Sequence, residues 1–199
     1  MEQDDQDWQH RWHRLKNHAQ AEVRRGFLPP FVKGHRSERL LRIVYLPSFE
    51  DAVGWELFEV REGDTPASVL AHRTTWRQEQ DLRSFGGPQD RLAALRHKFH
   101  GDATEPTLAY KSVTPHLGLV RDATARLAAM QVSLRNPSAK SMGCDGDSYE
   151  LTLGDFWVEV TLRWWEEPPA EWSEAGAVTK TLLEHLEGLV REVKEADNA

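Results

Sequence analysis

Two glutamates, Glu150 and Glu159, lie in two alternating runs that pair as a hairpin, where they would meet across the strands. A carboxylate pair of this kind, with His72 or His116 as proton carrier, is the equipment of a small hydrolase-type or metal-dependent enzyme. Opposing carboxylates on an open sheet face, however, lack the enclosure that shifts pKa values usefully. His10 and His13 are three apart, as are His97 and His100, so each pair could share a helix face and offer two imidazoles to a metal. Neither pair has a third ligand at a readable spacing, so both are expected to be surface histidines and no metal site is expected. Cys144 is the single cysteine, which excludes an internal disulfide and a Cys-based zinc site, and it lacks the flanking chemistry of a nucleophile. The sequence has no phosphate-cradling glycine motif. No catalytic residue and no cofactor is therefore assigned.

The elements that must position these residues begin with the stretch from Asp145 to Trp172. Tyr149, Leu151 and Leu153 alternate with polar residues, as do Phe156, Val158, Val160, Leu162 and Trp164, with Gly154-Asp155 between the runs. A two-residue type II′ turn there predicts Leu153 opposite Phe156, Leu151 opposite Val158 and Tyr149 opposite Val160. Glu150, Thr152, Trp157, Glu159, Thr161, Arg163 and Trp165 then point away from the core. In that register Glu150 opposes Glu159, a like-charge pair that needs either a cationic partner or an Arg or Lys from a neighbouring strand. Glu150, Trp157, Glu159, Arg163 and Trp165 form the candidate binding face, since aromatic residues are enriched where partners dock. Pro168-Pro169 ends the second strand, and Val178, Leu182, Leu186, Leu189, Val190 and Val193 recur at helical spacing after Ser173.

Upstream, Trp8, Trp12, Leu15 and Ala19 mark an amphipathic N-terminal helix, and residues 1–34, with Pro29-Pro30 and Gly34, read as that helix and a linker. Three period-two runs around Leu41–Tyr45, Trp55–Glu59 and Val69–Trp76 predict an antiparallel meander. Helices are expected over Arg77–Arg83 and Pro88–His100, a short strand over Thr107–Val113, and a helix from Thr114-Pro115 to Met130. Residues 35–199 are thus expected to form one α+β domain, with a mostly antiparallel sheet of five or six strands. Helices from the middle and end of the chain should cover it mainly on one face.

The chain has 199 residues, 39% of them hydrophobic, enough for one domain with a real core. No apolar run approaches the length of a membrane span or signal peptide, which points to a cytoplasmic protein without membrane contact. The net charge of −7 is uneven: Asp145 to Ala199 holds 14 acidic and 4 basic residues. Such an end disfavours nucleic acid and suits a basic protein partner.

The motif Asp145-Gly146-Asp147-Ser148-Tyr149-Glu150-Leu151, followed by Arg163-Trp164-Trp165, then Pro168 or Pro169 and Trp172, resembles one found in small bacterial proteins that include immunity-type proteins of polymorphic toxin systems. The resemblance covers about a quarter of the chain and implies no catalytic residues. Charge and resemblance together lead to the expectation of a non-catalytic protein-binding module, an immunity-like or antitoxin-like inhibitor of a basic partner. The alternatives are the enzyme built on the Glu150/Glu159 face and a structural or regulatory subunit.

Overall fold

The computed structural model describes residues 2–26, 35–48, 50–63, 65, 67–85, 105–131, 146–154 and 158–197. Helix α1 (Glu2–Arg25) leads into strands β1 (His35–Leu46), β2 (Ala52–Glu62) and β3 (Ser68–Trp76), then α2 (Gln78–Phe85). Strand β4 (Leu108–Val113), helix α3 (Leu117–Ala128) and strands β5 (Ser148–Gly154) and β6 (Glu159–Trp165) follow. A single 3₁₀ turn, Ala170–Trp172, opens into the long helix α4 (Ser173–Asp197). The six strands form one antiparallel sheet in the order β4-β3-β2-β1-β5-β6, so the chain is an α+β fold as expected. The linker with Pro29-Pro30, the helix expected over Pro88–His100, Cys144, Phe156 and Trp157 lie outside the described residues.

The front face of the sheet carries the larger core. Strand alternation puts Leu41, Ile43, Trp55, Leu57, Leu151 and Leu162 on it, all buried against the apolar stripes of α3 and α4. Val178, Leu182, Leu186 and Val190 supply the stripe of α4 at the expected helical spacing.

The back face is also covered, which differs from a sheet shielded mainly on one side. Helix α1 lays Ala19 and Val23 on Val44, Leu46, Ala52 and Trp76, with Trp12 packed alongside at 5.8 Å from Trp76. Burial of a side chain such as Val23 contributes about 1.5–3 kcal/mol, so this contact is a substantial second core. The pattern that drives it is the outward set Val44, Leu46 and Trp76, which makes β1 and β3 apolar on both sides.

The β5–β6 hairpin corrects the expected register. Tyr149 pairs with Trp164, Leu151 with Leu162 and Leu153 with Val160, and Gly154 faces Glu159 across a longer loop than the two-residue turn. The slip is by four residues, an even number, so the paired residues of both strands stay on their expected faces, whereas Val158, expected to face Leu151 on the core side, lies before β6 and is 70% exposed. The gain is in the pairs: Glu150 faces Arg163 rather than Glu159, Thr152 faces Thr161 with hydroxyls 3.0 Å apart, and Tyr149 stacks on Trp164.

Helix α1 approaches the sheet most closely at Gly54, where a Cβ would stand 2.5 Å from the carbonyl oxygen of Val23. Gly54→Ala should therefore lift α1 from the back face and destabilise the protein by about 1–3 kcal/mol. Denaturant unfolding measures the loss, and faster amide exchange in α1 than in α4 locates it.

Candidate functional site

A well-formed concavity among the described residues lies away from the face that carries Glu150 and Glu159. It is a cleft of about 920 Å³ on the front of the sheet, along the flank of α4. Its floor follows from register alone. Trp164, Tyr149, Tyr45 and Val53 stand side by side on β6, β5, β1 and β2, one cross-strand row at one end of the sheet. The aromatic rings form a continuous ladder, with Tyr45 5.1 Å from Tyr149, and Tyr149 5.6 Å from Trp164 at 10° between planes. Offset stacking of this kind contributes about 0.5–1.5 kcal/mol per pair beyond burial.

Helix α4 forms the other wall. It crosses the sheet from the β6 side, where Gly176 abuts Pro168, to the β4 side, where Lys111 Nζ donates to the Val190 carbonyl at 3.4 Å. Between these points a fork holds it: Arg73 donates to both oxygens of Glu187 at 2.8 and 3.0 Å, and the Trp55 indole donates to the same carboxylate at 3.1 Å. Ala177, Lys180, Glu184, Glu187 and Arg191, spaced three or four apart, turn one stripe of the helix toward the cleft.

The charge of the cleft is mainly negative at its rim. Glu50, Glu166, Glu167 and Glu184 are exposed there, against exposed Lys180 and Arg191. Glu166 holds a left-handed backbone with φ 53, and its N–H donates to the Asp147 carbonyl at 2.7 Å, which turns the chain out of β6 and sets Glu166 and Glu167 at the mouth. The Tyr45 hydroxyl donates to Asp147 Oδ2 at 3.0 Å, and its pKa is raised by burial and by that carboxylate; burial and Asp147 also raise the pKa of Tyr149. Both phenols stay neutral at physiological pH and present polarisable rings rather than charge. Thr179, which lines the cleft and is 1% exposed, has no hydrogen-bond partner for Oγ1 among the described residues.

The residues singled out by sequence are placed elsewhere. Glu150 is 6% exposed on the back face and accepts from Arg24 Nε of α1 at 2.7 Å, with Arg163 Nε at 3.5 Å. Glu159 pairs with Arg39 and, at 3.7 Å, with Arg42; both arginines also approach the buried Glu56, at 3.8 and 3.6 Å. Arg42 further donates to the carbonyl of Arg24 in the last turn of α1, where a cation complements the helix dipole. Glu150 and Arg163 thus fall in one ion-pair cluster with Arg24, and Glu159 in a second with Arg39, Arg42 and Glu56, the two joined through the Arg42 bond to the Arg24 carbonyl. Trp165 is half-buried on the same face.

His72, its pKa lowered by burial, sets Nδ1 2.9 Å from the Ser112 hydroxyl on β4, a nucleophile–base distance on the back face of the sheet rather than in the cleft. His116 is exposed at the N-cap of α3, which starts at Leu117, a little after the expected start at Thr114-Pro115. His10 and His13 are exposed on α1, and no group of three metal-ligating side chains occurs among the described residues. His97 and His100 lie outside them. The signal for the cleft was the parity of Tyr45, Tyr149 and Trp164; only register puts them in one row.

The orphan hydroxyl gives a stability test. Thr179→Val keeps the shape and removes an unsatisfied buried oxygen, so it should stabilise the protein by about 1 kcal/mol in denaturant unfolding. A loss of stability would show that the hydroxyl has a partner. Comparison of the chain with protein-family models, with curated proteins and with solved structures found no match.

Proposed function

We propose that this chain is a non-catalytic binding protein that docks a basic protein partner, in the manner of an immunity-like or antitoxin-like inhibitor acting in the cytoplasm. The observation that carries the reading is the front-face cleft, with an aromatic floor and four exposed carboxylates at its rim. Cations pack favourably on aromatic rings, at about 0.5–2 kcal/mol each, and acidic rims steer cationic partners to the surface. The 14 acidic residues between Asp145 and Ala199, against 4 basic ones, supply that field.

The resemblance of residues 145–172 to immunity-type proteins supports the same reading, since such proteins work by occluding a partner. No helix among the described residues is long and apolar enough to cross a membrane. The back-face carboxylates support it less, because Glu150 and Glu56 are buried and tied to arginines of this chain.

The test is affinity capture from native cell extract at low and moderate salt, on the wild type and on a double variant, Glu166→Lys with Glu167→Lys. A basic protein held by the wild type should be lost as salt rises and be held about tenfold more weakly by the double variant, a change of about 1.4 kcal/mol. Capture that ignores both salt and charge reversal, or no specific capture at all, would contradict the reading.

A further inference from the structure

We infer that the cleft takes an extended basic segment of the partner, with one arginine or lysine side chain laid against the Tyr45–Tyr149–Trp164 ladder and donating to Thr179 Oγ1. This rests on the reading of the chain as a binder of a basic protein and names the form in which that partner is held.

Three observations carry it. The first is shape. The α4 wall runs from Ser173 to Arg191, about 27 Å at the helical rise. The opposite wall spans β6 to β3, about 19 Å at the strand spacing. At about 3.3 Å per residue, an extended segment of about six to eight residues spans a groove of these dimensions.

The second is charge. The exposed rim of Glu50, Glu166, Glu167 and Glu184 outweighs Lys180 and Arg191, so the complementary segment is basic. The third is the Thr179 hydroxyl. A side chain 1% exposed, with an oxygen lacking a hydrogen-bond partner among the described residues, costs stability in the free protein and gains an N–H donor when a guanidinium or ammonium arrives.

The experiment uses the full chain and a fluorescently labelled oligo-arginine peptide of about eight residues, with affinity read by anisotropy at low salt. Ala177 is exposed on the groove flank of α4, so Ala177→Arg lays a tethered cation in the groove without touching the core. Ala125 is exposed on α3 and does not line the groove, so Ala125→Arg makes the same charge change elsewhere.

Ala177→Arg should weaken the peptide about tenfold and Thr179→Val several-fold, with Ala125→Arg changing affinity less than about twofold. Free arginine amide should compete only at concentrations about a hundredfold higher than the peptide. Equal weakening by the two arginine variants would overturn the groove while leaving a basic partner docked on another surface. Arginine amide competing as well as the peptide would replace the extended segment with a lone cation and overturn the inference. No binding of the peptide to the wild type would overturn both the inference and the reading beneath it.

Discussion

The fork from Arg73 to Glu187, with the Trp55 indole on the same carboxylate, sets where α4 lies across the sheet. An ion pair of this geometry, partly withdrawn from water and doubly hydrogen-bonded, orients its two elements more strictly than apolar packing can. The apolar stripe of α4 tolerates small shifts along the sheet; the fork does not. It holds the helix over the second cross-strand row, that of Ile43, Trp55 and Leu151, and leaves the first row, with its aromatic ladder, open along the helix flank.

The back face shows the other use of charge. Arg24 and Arg163 meet Glu150, and Arg39 and Arg42 meet Glu56 and Glu159, two clusters linked by the Arg42 bond to the Arg24 carbonyl that join the end of α1 to β1, β2, β5 and β6. At the buried carboxylates Glu56 and Glu150 such pairs add little net stability over apolar replacements, yet removing the cations would leave a buried charge stranded, at a cost of up to about 3–5 kcal/mol. The network therefore fixes α1 and the hairpin register. The groove carboxylates are exposed and individually weak, so their effect is a field rather than a set of bonds.

The meander, the C-terminal helix and the parity of the paired hairpin residues were legible in the sequence, because period-two and helical patterns report which face is buried. The register was not read correctly, although a signal for it existed. Placing Glu150 opposite Glu159 gave a like-charge pair, and a four-residue slip exchanged it for Glu150 opposite Arg163 without moving a paired residue to another face, while leaving Val158 outside the sheet. The docking of α1 was hidden for a different reason: its contact depends on the absence of a side chain at Gly54 and on β1 being apolar on both faces. The groove depends on Tyr45, Tyr149 and Trp164, which are far apart in the chain and become neighbours only through the β1–β5 and β5–β6 pairings. The orphan hydroxyl of Thr179 has no signature in sequence at all.

The most direct measurement of the central claim is an NMR titration of the labelled protein with a basic peptide, following backbone amides and tryptophan indoles. Shifts should concentrate on the Trp164 indole and on the Ala177–Arg191 flank of α4, with the Arg163 and Trp165 signals of the back face little changed. Shifts centred on Arg163, Trp165 and the end of α1, with the α4 flank silent, would contradict a groove on the front of the sheet.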